Sequence, residues 1–238
     1  MSHGDATGGV ASRDVSPQDR QDGVKEDLQL SGEEREGKKL AIFDFDGTLV
    51  EHDSLRLVIV AVCGNALTAY VWLAWAAVTA FLEGLFTAGA YMDMKTALKA
   101  HWIRHTLGGH AVEDVQKVAD GLKDQLGWRQ GLVDDMKRYA GEGREIVVAT
   151  GALDVYIDTL LHGLPVKAVI CTMTEVENGR MTGYLKGEKH KVNPVRDEKR
   201  IRTQAYIQQN GPYGHIVGYG NMPDDGAMLS LCDEFYVL

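Results

Sequence analysis

Two aspartates, Asp44 and Asp46, stand in the run Asp44-Phe45-Asp46-Gly47-Thr48-Leu49, directly after the apolar stretch Leu40-Ala41-Ile42-Phe43. An apolar run of that kind predicts a strand buried on both faces, as in a parallel sheet under helices. Ligands of open α/β sheets bind beyond the carboxyl ends of the strands, so both carboxylates are expected to face a crevice there. Such a pair can divide the work of phosphoryl transfer. One carboxylate attacks phosphorus and forms an aspartyl-phosphate, while the other gives a proton to the leaving oxygen and later takes one from water. Gly47 allows the chain its tight exit. An isolated Asp-x-Asp is more often a turn or a solvated edge; the strand before it and Gly-Thr-Leu after it make the pattern specific.

The elements that must position this pair follow from the hydrophobic pattern. Further strand-like runs occupy Ile146 to Ala149, Val166 to Ile170, His215 to Tyr219 and Phe235 to Leu238. Helical patterns lie between them, Ala152 to Leu161 and Pro194 to Gln209, the second with Asn193 as its N-cap. Strands alternating with helices predict an α/β fold with a doubly wound parallel sheet. Residues 53–141 break the alternation with helical stretches only, and are expected to form an inserted all-helical cap; residues 38–52 and 142–238 would then form the Rossmann-like core. Residues 1–37 carry −5 of the net charge of −9 and few large apolar side chains, the pattern of a disordered extension without the apolar core of an export signal.

Taken in order, these segments resemble the haloacid dehalogenase superfamily, whose first motif is an apolar strand followed by Asp-x-Asp-Gly-Thr-Leu. Val147-Val148-Ala149-Thr150-Gly151 resembles its second motif, which implies that the Thr150 hydroxyl, with Gly151, binds a phosphoryl oxygen. Thr150 is also an ordinary helix-cap residue, and the two readings are compatible. The third motif is a lysine that neutralises the phosphoryl group and the nucleophile. Lys186, Lys189, Lys191 and Lys199 are candidates; Lys199, 22 residues before Asn221, is chosen and Lys191 held in reserve. Gly220-Asn221-Met222-Pro223-Asp224-Asp225 is similar to the fourth motif, Gly-Asp-x-x-x-Asp, with Asn221 in place of the first Asp. The resemblance implies an Mg²⁺ ion held by Asp44, the Asp46 carbonyl, Asn221 and Asp225. An amide oxygen ligates Mg²⁺ but brings no charge, so metal affinity should fall unless Asp224 or Asp225 compensates. A helical cap between motifs one and two is similar to the phosphoserine-phosphatase-like branch, and the apolar cap and final motif look like phosphatidylglycerophosphatase C-type members.

From Leu57 through Leu82 there are 26 residues without a formal charge, including Tyr70, Trp72, Trp75 and Phe81. They are either core helices of the cap or a surface for membrane contact, lying flat or as a hairpin. A single crossing would separate Asp44 from Thr150. The expected substrate is a phosphorylated small molecule or a lipid headgroup phosphate, and the expected location is cytoplasmic, at the inner membrane face if the helices bind lipid. A non-catalytic module retaining the fold is the alternative that Asn221 raises. Lys95, Lys99, His101, Arg104 and His105 follow the apolar helices and could meet an anionic headgroup, although charges at this spacing usually form a wet helix face. The acidic balance, without a Lys/Arg-dense run, argues against a nucleic-acid partner. Cys63, Cys171 and Cys232 lack metal-ligand spacing and suit a reducing compartment.

Overall fold

The computed structural model describes residues 37–86, 94–187 and 193–238. The stretch 1–36, for which disorder was expected, lies outside the described residues, as do Lys189 and Lys191. Strand β1 (Lys38–Phe43) is followed by helices α1 (Ser54–Val62), α2 (Ala66–Phe86), α3 (Met94–Thr106), α4 (Val112–Leu122) and α5 (Gln130–Gly141). Then come β2 (Glu145–Leu153), α6 (Asp154–Leu161), β3 (Ala168–Thr172), the pair β4 (Thr174–Glu177) and β5 (Arg180–Leu185), α7 (Arg196–Asn210), β6 (Tyr213–Gly220), α8 (Gly226–Leu229) and β7 (Glu234–Val237).

Five strands form one parallel sheet in the order β3-β2-β1-β6-β7, with β1 in the centre. Alternate residues of β1 enter different cores: Ala41 and Phe43 pack with Ile146, Val148 and Tyr219, while Leu40 and Ile42 pack with Val147, Ile216 and Met228. Burial on both faces is what the unbroken apolar run requires. Pairing of Phe43 with both Val148 and Tyr219 brings the ends of β1, β2 and β6 to one edge, where the next residues of each strand can meet.

Three features depart from the pattern read in the sequence. Strand β2 runs on to Leu153, so Thr150 lies within the strand, and α6 begins at Asp154 with Leu153, not Thr150, at its N-cap position. Helix α7 begins at Arg196, not at Pro194, and Asn193 does not cap it. The Asn193 side chain instead accepts from Thr172 Oγ1 and Lys99 Nζ, and its amide donates to Thr96, so it has no oxygen to spare for the helix. The antiparallel pair β4–β5 was not anticipated. It turns at Asn178 and Gly179, both with positive φ, which is the dipeptide signal of a tight hairpin. The hairpin lies against α3: a Cβ on Gly183 would stand 3.0 Å from the Arg104 backbone, and the Arg104 guanidinium covers the Tyr184 ring.

Helix α2 is unusual in what it hides. Its buried positions are the small residues Ala69, Ala76 and Ala80, a narrow stripe facing α3, where Trp102 Nε1 donates to the Ala69 carbonyl. Many of its large apolar side chains point outward, Leu67 being 77% exposed, Trp75 51% and Phe81 57%, while Leu73 packs against the core. It is the one helix among the described residues long and apolar enough to cross a membrane.

Candidate active site

Beyond the carboxyl edge of the sheet lies a cavity of about 320 Å³ lined by Asp44, Asp46, Thr150, Gly151, Lys199, Asn221 and Asp225. The residues chosen from the four motifs therefore meet in one place, although they come from four segments of the chain. Lys186, a competing candidate for the motif lysine, is an exposed residue just after β5.

The loop after β1 is built by the chain closing on itself. Thr48 and Val50 N–H groups both donate to the Phe45 carbonyl, and Gly47 takes φ +78°. A side chain at position 47 would also strike Asn221 Nδ2 at 2.8 Å. Arg129, at the entrance to α5, donates from one guanidinium nitrogen to the Gly47 and Thr48 carbonyls at 2.5 and 3.1 Å. The sequence offered no cue to this brace, because Arg129 is 82 residues from Gly47.

Asp44 is buried, and both its oxygens are engaged. Oδ1 accepts from Lys199 Nζ at 2.9 Å and Oδ2 from Thr48 Oγ1 at 2.8 Å, while its N–H donates to the Tyr219 carbonyl. Burial raises its pKa, with the Lys199 charge opposing the rise. Lys199 reaches from the first turn of α7 and bridges Asp44 and Asp225. Burial disfavours its ammonium, but the two carboxylates outweigh that and hold its pKa above the usual lysine value. Asp46 is different: Ser54 N–H donates to its Oδ1 at 2.7 Å, yet burial, with the nearby Asp53 charge, pushes its pKa up to about 7. A carboxyl poised near neutrality can both give and take a proton at physiological pH. Thr150 Oγ1 accepts from Ala152 N–H, which leaves the hydroxyl proton to donate to a ligand oxygen.

Asp225, expected as a metal ligand, lines the cavity, accepts from Lys199 with one oxygen and from the Asn221 N–H with the other, and is almost wholly buried. Gly220 makes this possible, since a Cβ there would lie 2.8 Å from that of Asp225. The carboxylate thus braces the lysine from behind. Among the described residues no group of three or more His, Cys, Asp and Glu side chains is arranged to hold a metal. Asn221 Nδ2 stands 3.3 Å from the Asp46 carbonyl oxygen. The expected set, the Asp44 and Asp225 carboxylates, the Asp46 carbonyl and the Asn221 amide oxygen, consists of hard oxygens of the kind Mg²⁺ prefers, so its chemistry fits that ion.

From the sequence, Lys99 is only one of five side chains that could meet an anionic headgroup or form a wet helix face, without a place at this site. It lines the same cavity, and its Nζ donates to the Gly151 carbonyl, Thr172 Oγ1 and Asn193 Oδ1. His101 and His105 do lie near the surface, bonded to Glu83 and stacked on Trp72 respectively.

Comparison with known proteins agrees with the geometry. Protein CicA of Caulobacter vibrioides is 25% identical over 217 residues, covering 89% of this chain and 91% of that protein. A protein of unknown function from Bordetella pertussis Tohama I superposes with a TM-score of 0.64 at 17% identity, over 84% of this chain and 89% of that one. A phospho-aspartyl intermediate analogue of phosphoserine phosphatase superposes with a TM-score of 0.57 at 17% identity, over 84% and 86%. These structural likenesses show the fold. The family model for haloacid dehalogenase-like hydrolases matches residues 41–230, from within β1 past the Asn221–Asp225 loop. With that match spanning every segment that reaches the cavity, the chain belongs to the haloacid dehalogenase-like hydrolase family.

Proposed function

We propose that this chain is an Mg²⁺-dependent phosphomonoester phosphatase acting through an aspartyl-phosphate. The observation that carries the reading is the meeting of Asp44, Asp46, Thr150 and Lys199 in one cavity. An Asp44 oxygen attacks phosphorus as the bond to the leaving oxygen breaks, and Asp46, protonated near neutral pH, gives that oxygen its proton. Asp46 then takes a proton from the water that attacks the aspartyl-phosphate, which releases inorganic phosphate and restores Asp44. Thr150 and Lys199 hold the transferring phosphoryl group by a hydroxyl donor and a fixed positive charge. Asp44, the Asp46 carbonyl, Asn221 and Asp225 are the residues that would hold Mg²⁺, whose contribution is to neutralise charge between nucleophile and phosphate.

A phosphate on a membrane lipid is the substrate we favour over a soluble metabolite. The outward aromatic face of α2 supports it, since an exposed apolar surface of this size suits the headgroup–acyl boundary of a bilayer. A helix lying on that boundary leaves Asp44 and Thr150 on one side of it.

Phosphate release from phenyl phosphate and from phosphatidylglycerophosphate in mixed micelles, with Mg²⁺ titrated, tests both parts. Turnover that vanishes in Asp44→Asn supports the chemistry. Activity on soluble phosphates alone, with no binding to liposomes, removes the lipid part. Absence of turnover at every Mg²⁺ concentration favours a non-catalytic module.

A further inference from the structure

Two of the three lysines that line the cavity, Lys199 and Lys99, differ in what meets their charge. Lys199 sits between two carboxylates, so its charge is more than balanced. Lys99 arrives from α3, in the helical insert, and donates to a backbone carbonyl, a hydroxyl and an amide oxygen. None of these three acceptors carries a charge. A tie between α3 and β2 needs only a neutral donor, and an ammonium in that place costs desolvation that neutral partners recover poorly. Its direct partners thus leave the charge of the ammonium unmet, and burial pulls its pKa down to about 8 against the opposing pull of the Asp46 and Asp53 charges.

Its position says what could meet it. Gly151, whose carbonyl it touches, adjoins Thr150 at the phosphoryl-binding end of β2, and a Cβ on Gly151 would lie 3.6 Å from Lys99 Nζ. Lys95, one turn earlier on α3, lines the same cavity and pairs with Asp224 at 3.8 Å. The insert thus brings Lys95 and Lys99 to the cavity together with Asp53 and Leu55, whereas the reacting groups come from the strands and the loops after them.

We infer that Lys99 determines substrate specificity by binding a second anionic group carried next to the phosphomonoester. The inference rests on the phosphatase reading above and narrows its substrate class to phosphomonoesters with a nearby carboxylate or phosphodiester. Lys99 is a binding residue and takes no part in the proton or phosphoryl transfers.

The test compares kcat and KM of wild type, Lys99→Gln and Lys99→Arg on phenyl phosphate, O-phosphoserine and phosphatidylglycerophosphate in mixed micelles. Glutamine, one bond shorter, removes the charge and keeps N–H donors on the side of β2, and Lys99→Arg restores the charge as its control. Lys99→Gln is expected to lose roughly 10- to 100-fold more kcat/KM on the favoured doubly anionic substrate than on phenyl phosphate, chiefly through KM, as for loss of one charge-assisted hydrogen bond. Lys99→Arg should recover part of that preference. Which of the two doubly anionic substrates suffers the selective loss tells a carboxylate from a lipid phosphodiester. Equal loss on all three substrates, or no loss, overturns the inference and leaves the phosphatase reading standing. A wild-type chain that hydrolyses none of the three overturns both.

Discussion

Lys199 Nζ lies 2.9 Å from Asp44 Oδ1, a buried pair separated by 155 residues of chain. With Asp225 on its other side, the lysine balances two carboxylates that the core could not otherwise hold. Replacing it with methionine would leave both acids buried and unpaired. Lys199→Met is expected to lose about 3–5 kcal/mol of stability along with activity. The loss should shrink on acidification, as the Asp44 carboxyl, whose pKa burial raises, takes up a proton, and urea unfolding at pH 5 and pH 8 measures the difference.

The raised pKa of Asp46 predicts an alkaline limb in the pH profile. The carboxyl must be protonated to serve the leaving group, so kcat/KM should fall as pH rises through about 7. Burial is the first cause and the Asp53 charge the second, so Asp53→Asn should move the limb to lower pH. Asparagine still caps α1 as Asp53 does through the Arg56 N–H, which keeps the fold out of the comparison. The stability sign is the same: a carboxyl whose folded pKa exceeds its ordinary 3.8 favours the folded state at low pH and loses that contribution as pH rises through about 7. A limb that stays in place in Asp53→Asn would assign it to another group.

Asn221 offers a test of the metal. Asn221→Asp sets a carboxylate against the Asp46 carbonyl where an amide N–H now stands at 3.3 Å. The variant should melt lower than wild type without Mg²⁺, gain more on its addition, and need roughly tenfold less Mg²⁺ for half-maximal activity. Thermal unfolding with and without the ion reads the first two effects independently of turnover.

Arg129 holds the Gly47 and Thr48 carbonyls from outside the cavity. Arg129→Ala should lower kcat by about tenfold with a smaller change in KM, since the nucleophile's loop loses its alignment while the phosphoryl-binding groups remain. Rescue by Arg129→Lys would be partial, because one ammonium cannot match the planar donor.

The face of α2 gives a prediction for lipid. Trp75→Glu combined with Phe81→Glu should abolish flotation with anionic liposomes and leave turnover of phenyl phosphate near the wild-type value. Binding to vesicles undiminished by both charges would locate the membrane contact elsewhere.

The parts of this molecule legible in the sequence are those where one physical signal dominates. The three inner strands β1, β2 and β6 are largely buried on both faces and so read as short apolar runs; Asp44, Asp46 and Asn221 follow the ends of β1 and β6, and Thr150 lies within β2. Side chains that act through long-range contacts were not legible. Lys99 shares a helix with four other basic or imidazole side chains, and only the packing of α3 against β2 separates it from them. Asn193 before Pro194 carries every local sign of a helix cap, but Thr172 and Lys99 claim its oxygen. In the hairpin at Asn178–Gly179 the turn signal was present, but the flanking strands are short and polar, so no apolar run called attention to it.

The pairing of Phe43 with Val148 on one side and Tyr219 on the other fixes the central strand to both neighbours at once. A slip by a single position would displace Asp44 by ~3.3 Å and turn its side chain to the opposite face. An inserted or deleted residue within Leu40–Phe43 should therefore extinguish catalysis outright, whereas length changes at the Asn178–Gly179 tip should be absorbed. Evolution can lengthen this enzyme at its margins, but its middle strand has no freedom to drift.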